Sequence, residues 1–216
     1  MFKMQLKKER LFGMCTQRIK WGYFAGLIKQ LCYVAAFAVL VFSGSAFAAA
    51  PITIPNFSFE SGFDNTGGGV GNWTGANLAG TTGTIRELVP TTGSQMLYAN
   101  GPDAGGASFA YQKLDILATG KFTFQIDVGT TVSLPASGYD IAFYAVDKST
   151  GEGHAILARE TLTAPAPGAW ATKTISFSVT GAESWFATDE VQIVLGCGAG
   201  TQVIYDNVRG TFTAVP

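Results

Sequence analysis

The stretch K-F-T-F-Q-I-D-V, residues 121–128, decides the fold class. Its four apolar residues alternate with polar ones, so one face of the segment is apolar and the other is polar. A period of two is the pattern of a half-buried β-strand, in which successive side chains point to opposite faces. The segment K-T-I-S-F-S-V, residues 173–179, repeats the alternation.

Short runs of this kind recur along the chain, separated by clusters of Gly, Pro, Asn, Asp and Ser. No segment has the pattern of a helix longer than two turns. The predicted strands are residues 52–59, 83–88, 94–99, 108–114, 120–128, 139–147, 155–162, 171–179, 190–195 and 202–212. About ten short strands joined by polar turns predict an all-β antiparallel sandwich of the jelly-roll kind.

Residues 1–50 have the pattern of a secretory leader. A basic segment precedes an apolar run at residues 31–42, and small residues follow with an A-x-A motif at Ala46 and Ala48. The apolar run is shorter than the roughly 20 residues that a membrane helix needs. We therefore expect a cleaved signal peptide, a single secreted or cell-surface domain at residues 51–216, and no membrane contact after cleavage; an uncleaved N-terminal anchor is the alternative.

The charge of the expected mature chain differs from that of the whole sequence. The leader holds seven of the 14 Lys and Arg residues and one of the 15 Asp and Glu residues, which leaves a net charge of −7. An acidic surface argues against nucleic acid as a partner. Cys197 is the only cysteine outside the leader, so the mature domain contains no internal disulfide.

The residue inventory excludes most catalytic machinery. The chain has one histidine, His154, which leaves too few His and Cys residues for a zinc site and no clear Ser-His-Asp set. It has no phosphate-binding Gly-rich motif. A carboxylate pair for glycoside hydrolysis stays open. The inventory therefore predicts a protein without enzymatic activity.

Two acidic residues lie in unusual surroundings. Glu60 follows the aromatic segment N-F-S-F, and Asp206 interrupts the apolar strand V-I-Y-D-N-V. Asp206 either faces solvent, with Asn207 bending the strand, or is neutralised by a partner. A calcium ion would explain both acids, because it binds six to eight oxygens and mixes carboxylates with backbone carbonyls.

Three motifs together resemble the galactose-binding-like jelly roll. N-F-S-F-E at residues 56–60, W-T at residues 73–74 and Y-D-N-V at residues 205–208 are similar to motifs of carbohydrate-binding modules of families 4, 9 and 22. In those modules the Glu of the first motif and the Asp of the last strand bind a structural calcium ion. The resemblance therefore implies Ca²⁺ ligands at Glu60 and Asp206, with Asn56 nearby.

The same motifs are also similar to those of exported, exosortase-sorted (PEP-CTERM-type) bacterial proteins of unassigned function. The matching segments begin at Asn56, Asn72, Asp127, Leu134 and Tyr205. The sequence stops at V-P, residues 215–216, without the apolar helix and basic residues of such a sorting tail. Either the protein is freely secreted, or the sorting tail is missing from this sequence.

These observations predict a secreted, non-catalytic carbohydrate-binding domain with a polysaccharide or glycan as its partner. Aromatic rings carry such binding because the C–H face of a sugar stacks on them. The predicted ligand-binding residues are Trp73, Tyr139, Trp170 and Trp185. The alternatives are a structural or adhesive matrix protein without a small ligand and, third, a glycan-active enzyme.

The leader gives the first testable prediction. We expect the mature chain to begin between Ala49 and Pro51 and to occur outside the cytoplasm, because the small residues before that point form the cleavage site. Amino-terminal sequencing of secreted protein checks this. An intact leader on a membrane-bound product would contradict it.

Overall fold

The computed structural model describes residues 47–62, 72–76, 79–101, 107–134, 136, 138–198 and 200–215. They belong to one compact unit, Phe47–Pro216. Residues 1–46 of the predicted leader lie outside the described residues. Within the described part of the chain, no helix is long and apolar enough to cross a membrane.

Two antiparallel sheets form a β-sandwich, as the alternating sequence predicts. The first sheet has the order β3-β4-β11-β6-β9, and β1 pairs with the far end of β11. The second has the order β2-β5-β10-β7-β8. The strands are β1 Ala50–Ile52, β2 Thr74–Ala76, β3 Ala79–Thr82, β4 Met96–Asn100, β5 Ser108–Lys113, β6 Gly120–Gly129, β7 Gly138–Asp147, β8 Gly153–Thr163, β9 Trp170–Val179, β10 Asp189–Cys197 and β11 Gln202–Ala214.

The core lies between the inner faces of the sheets. The apolar residues of residues 121–128 are fully buried there, and Phe124 of β6 meets Phe143 of β7 with ring centroids 4.4 Å apart. Phe177 of β9 stacks on Phe122 at 5.1 Å and contacts Phe143 at 5.4 Å. Aromatic contacts therefore join the two sheets.

Most predicted strands from β4 onward are present within a few residues. The first predicted strand of the chain, residues 52–59, is wrong. β1 ends at Ile52, and residues 55–61 form turns in which Asn56 and Phe59 have positive φ angles. The predicted strand at residues 83–88 is instead a turn closed by one bridge between Ile85 and Leu88. The short strands β2 and β3 were not predicted.

A loop covers part of the outer face of the six-stranded sheet. Leu88 and Met96 pack on Ile204 of β11, and Trp170 of β9 packs against this small cluster. The register between β6 and β11 shifts between Asp206 and Arg209, which marks a β-bulge. The outer face of the five-stranded sheet carries a groove.

Candidate functional site

The floor of the groove consists of small side chains on the central strands. Gly196 and Val194 of β10 stand opposite Asp140 and Ala142 of β7. Residues directly opposite in an antiparallel pair project from the same face. Because neighbouring Ile141 and Phe143 enter the core, these residues point outward. The floor therefore lacks any side chain larger than valine.

Aromatic side chains form one wall. Phe109 and Tyr111 of β5 stand opposite Gly196 and Val194, with ring centroids 6.2 Å apart. Tyr144 of β7, two residues beyond Ala142 on the outward face of that strand, also lines the groove. Phe109 and Tyr144 line the groove, and Tyr111 lies beside Phe109 outside the lining. The half-buried rings of Phe109 and Tyr144 leave aromatic surface for an apolar ligand.

An ion pair forms the opposite wall. Arg159 of β8 donates to Asp140 through Nε, at 3.2 and 3.1 Å from the two carboxylate oxygens, and through Nη2, at 2.7 Å from Oδ2. The hydrogen bonds and the charge of Asp140 raise the pKa of the Arg159 guanidinium. Thr161 reaches Asp140 Oδ1 at 3.5 Å. A fixed carboxylate–guanidinium pair therefore faces the aromatic wall across a small-residue floor.

The groove encloses about 480 Å³, a volume typical of sites for one small molecule. Tyr205 of β11 supports its floor from inside the sandwich, where its hydroxyl donates to the Gly196 carbonyl oxygen and lies 3.3 Å from the Asp140 carbonyl oxygen. Complete burial raises the pKa of Tyr205 well above its usual value. The last strand thus fixes the backbone on which the groove is built.

Two of the predicted ligand-binding aromatic residues are buried. Trp73 is 0% exposed, packs on Phe59 with centroids 5.1 Å apart and donates from Nε1 to the Asn56 carbonyl oxygen at 3.1 Å. Tyr139 lines the groove but is only 2% exposed, and its hydroxyl has no hydrogen-bond partner. The structure does not support Trp73 as a ligand contact, because its ring is packed in the core and cannot stack on a sugar.

The other two predicted aromatic residues lie outside the groove lining. Trp170 is half-buried on the cluster of Leu88, Met96 and Ile204, and its Nε1 donates to the Val89 carbonyl oxygen at 2.9 Å. Trp185 packs against the edge of the main core. The structure therefore does not bring the four predicted residues together into one binding surface.

The predicted metal ligands Glu60 and Asp206 hold the same loop, residues 91–95. Glu60 accepts hydrogen bonds from the backbone N–H groups of Ser94 and Gln95, both at 2.9 Å, and from the Ser94 hydroxyl at 2.7 Å. Desolvation opposes ionisation of Glu60, but these hydrogen bonds outweigh it and lower its pKa. The side chain therefore anchors one end of the loop.

Asp206 anchors the other end. Its Oδ2 accepts from the backbone N–H groups of Thr91 and Thr92, at 2.7 and 2.9 Å. Asp206 does not face solvent as the first alternative expected: its side chain points away from the core but is 0% exposed, because the loop covers it. A β-bulge follows it at Asn207. Desolvation raises its pKa. Asp127 stands directly opposite and pairs with Arg209 at 3.0 Å.

The oxygens of the two carboxylates retain acceptor capacity that a cation could use. Glu60 Oε2 and Asp206 Oδ1 each accept one hydrogen bond, from the Ser94 hydroxyl and the Asn207 N–H, and a carboxylate oxygen has a second lone pair. The third predicted ligand, Asn56, accepts the Ser61 N–H at 3.0 Å through Oδ1. The described residues hold no group of three or more His, Cys, Asp and Glu side chains suited to a metal. Calcium bound there would need backbone carbonyl oxygens as well.

Comparisons with known proteins identify the family. The profile described as HpiC1-like, HpiC1 cyclase, matches residues 50–210, which is most of the described domain. The chain belongs to the HpiC1-like cyclase family. A search of curated proteins found no matching sequence.

Solved structures share the family's fold. The Stig cyclase Fisc from Fischerella sp. TAU, in complex with (3Z)-3-(1-methyl-2-pyrrolidinylidene)-3H-indole, has a TM-score of 0.61 and 19% identity, covering 78% of this chain and 100% of that chain. A Fischerella sp. TAU cyclase in complex with 4-(1H-indol-3-yl)butan-2-one has a TM-score of 0.57 and 21% identity, covering 78% of this chain and 100% of that chain. The CBM22-1 xylan-binding domain of Paenibacillus barcinonensis Xyn10C has a TM-score of 0.51 and 14% identity, covering 80% of this chain and 100% of that chain.

Membership of a cyclase family corrects three predictions. The prediction of a protein without enzymatic activity is wrong, and so is that of a non-catalytic carbohydrate-binding domain. The predicted polysaccharide partner is also wrong, because the ligands in the related cyclase structures are small indole compounds. The likeness to carbohydrate-binding modules holds for the fold. The likeness to exosortase-sorted proteins receives no support from these matches.

Apart from Tyr139, sequence reasoning missed the residues of the groove. Asp140 and Arg159 are 19 residues apart, and each alone has the pattern of an ordinary exposed charge on an alternating strand. The signal that was available is the outward row of β7, where Asp140, Ala142 and Tyr144 alternate with core residues. The partners of these side chains depend on which strands lie beside β7, and the alternation along one strand does not identify its neighbours.

The loop anchored by Glu60 gives the second testable prediction. Gly93 has a φ of +65°, and a Cβ at this position would lie 2.3 Å from Glu60 Oε1. We expect Gly93→Ala to lower the free energy of unfolding by about 1–3 kcal/mol, because alanine is strained at positive φ and displaces the Glu60 carboxylate. Urea unfolding of the domain measures the change.

Gly153→Ala is the matched control, since a Cβ at Gly153 meets no atom within 4 Å. We expect that variant to stay within about 0.5 kcal/mol of the wild type, as surface substitutions usually do. Equal stability of the Gly93 and Gly153 variants would show that Glu60 does not constrain the loop.

Proposed function

We propose that this protein is an enzyme that closes a ring in a small, largely apolar aromatic substrate, and that the groove on the five-stranded sheet is its active site. The observation that carries the proposal is membership of a cyclase family. The groove supports this proposal, because it combines a volume suited to a small molecule, aromatic rings and a fixed ion pair.

Ring closure within one molecule depends on the conformation of the substrate. A flexible chain must bring its two reacting atoms to within about 3–3.5 Å in the correct orientation, and a site that holds this conformer lowers the barrier. A flat aromatic group would lie on Phe109, and the small floor at Ala142 and Gly196 would leave room for the chain to fold back. Shape is therefore the first contribution of the groove to the reaction.

The ion pair supplies the second contribution. Asp140 is half-exposed toward the groove, where its carboxylate can accept a proton or a hydrogen bond from the substrate. The Arg159 guanidinium stays charged and fixes the orientation of that carboxylate through two donors. Fixed groups of this kind stabilise developing charge without having to reorganise during the reaction.

Binding of a known cyclase ligand gives the third testable prediction. We expect 4-(1H-indol-3-yl)butan-2-one to bind the domain, and Ala142→Leu to weaken its binding at least tenfold, because a leucine fills the floor. Phe109→Ala should weaken binding about tenfold through the loss of one aromatic contact, worth about 1–1.5 kcal/mol. Isothermal titration calorimetry measures both, with melting temperatures recorded to confirm folding.

Thr174→Leu is the matched control, since Thr174 is exposed on β9 in the other sheet. Its affinity should equal that of the wild type. Turnover is tested with indoles that carry an unsaturated side chain, because ring closure without gain or loss of atoms consumes one unsaturation. NMR would detect a cyclic isomer of unchanged mass with the wild type but not with Ala142→Leu. Affinities that are equal in all variants would place the site elsewhere.

We further propose a structural calcium ion at the loop of residues 91–95, with Glu60 and Asp206 as its side-chain ligands. The support is that both carboxylates hold this loop and keep acceptor capacity. Calcium there would supply only a fixed positive charge between the two acids. Asn56 is less suited as a side-chain ligand, because its Oδ1 already accepts the Ser61 N–H.

Removal of calcium gives the fourth testable prediction. At a free calcium concentration of about 100 times Kd, binding adds about 2.7 kcal/mol to the free energy of unfolding. We expect a chelator to lower the melting temperature of the wild type and to leave that of Glu60→Ala and Asp206→Ala unchanged. Equal shifts in the wild type and both variants, or no shift in the wild type, would contradict the proposal.

Export by the leader remains part of the proposed function. The first strand, β1, begins at Ala50, so cleavage between Ala49 and Pro51 would leave most of the sheet intact. The family match also begins at residue 50. The enzyme would then act outside the cytoplasm, on a substrate that crosses the membrane or is made there.

A further inference from the structure

We propose that the groove selects positive charge: Asp140 receives a cationic nitrogen of the substrate, and Arg159 is the positioning residue that holds the Asp140 carboxylate toward it. The inference rests on the proposed function, because it assigns a substrate class to the same groove. It goes beyond shape, which selects only size and aromatic character.

The geometry of the ion pair leaves one carboxylate oxygen accessible. Arg159 makes its short contact, 2.7 Å, to Oδ2, whereas the contacts of Oδ1 with the described residues are longer, 3.2 Å to Arg159 Nε and 3.5 Å to the Thr161 hydroxyl. The Asp140 side chain is 32% exposed. Oδ1 therefore retains capacity for a short, charge-assisted hydrogen bond from an ammonium or iminium group.

The aromatic wall favours the same sign of charge. The faces of Phe109 and Tyr144, which line the groove, carry negative electrostatic potential and attract a cation placed within about 6 Å. Asp140 stands across the Gly196 floor from Phe109, in one row of the sheet. A cation in this row would have a carboxylate on one side and a ring on the other.

The remaining charged groups on this face do not favour an anion. Lys113 and Glu190, at the far end of β5 and β10, neutralise each other at 3.1 Å. Arg159 is directed to Asp140 and is 52% exposed, so solvent screens the rest of its charge. The net charge of −7 over residues 51–216 adds a long-range attraction for cations.

Arg159 acts through Asp140. It lies opposite Ala142 on the neighbouring strand, one position along the outward row from Asp140, and its side chain runs diagonally to the carboxylate. Loss of the guanidinium would free the Asp140 side chain to rotate toward solvent, which weakens binding of a cation although a positive charge has been removed. Simple charge repulsion predicts the opposite change.

The experiment compares three indole probes that differ mainly in charge: tryptamine, a cation; indole-3-propionate, an anion; and 4-(1H-indol-3-yl)butan-2-one, which is neutral. We expect the wild type to bind tryptamine at least tenfold more tightly than indole-3-propionate in low salt. The preference should shrink as sodium chloride rises from 50 to 500 mM, because salt screens charge and leaves stacking unchanged. Calorimetry measures all three affinities.

Variants separate charge from structure. Asp140→Asn should weaken tryptamine about tenfold and leave the neutral ketone within twofold, whereas a structural role would weaken both equally. Arg159→Gln should weaken tryptamine, with partial rescue in Arg159→Lys; stronger tryptamine binding in Arg159→Gln would overturn the positioning role. Ketone binding without any preference for tryptamine would overturn the inference and leave the proposed function standing. Failure of all three probes to bind would overturn both.

Discussion

The register of β10 between β5 and β7 is the constraint on which the candidate site depends. It places Gly196 and Val194 in rows with Phe109 and Tyr111 on one side and with Asp140 and Ala142 on the other. A shift by one residue would turn all these outward side chains into the core and bring Leu195 and Ile193 to the surface. The burial of the apolar residues of β10 therefore fixes the groove as firmly as it fixes the core.

Two acidic residues hold a loop on the outer face of the other sheet. Asp206 lies on the outer face of the central strand β11, where residues 91–95 cover it, and Glu60 holds the same loop from the N-terminal turns. A buried carboxylate without partners would cost several kcal/mol, whereas here each carboxylate accepts backbone N–H groups. The adjoining residue Tyr205 points inward and donates to Gly196. The segment Y-D-N-V thus connects the loop on one side of β11 to the groove floor on the other.

The sequence was sufficient for most of the fold because alternation reports directly on burial. Phe122, Phe124, Ile126 and Val128 are all fully buried, as their period of two requires. It was insufficient at residues 52–59, where Phe59 is buried in a turn with positive φ and not in a strand. Apolar residues show that a segment is buried; they do not show whether its backbone is extended.

The site was harder to predict than the fold because its residues come from strands that are distant in the sequence. Asp140 meets Arg159 only because β7 and β8 form a hairpin, and both face Phe109 only because β10 lies between β7 and β5. The motifs that were recognisable, N-F-S-F-E and Y-D-N-V, secure turns, a loop and the central strand. A xylan-binding module and a cyclase share this fold, so residues that secure the fold do not by themselves report the function. The candidate groove is built from the outward rows of the five-stranded sheet, where residues can change without disturbing the core beneath them.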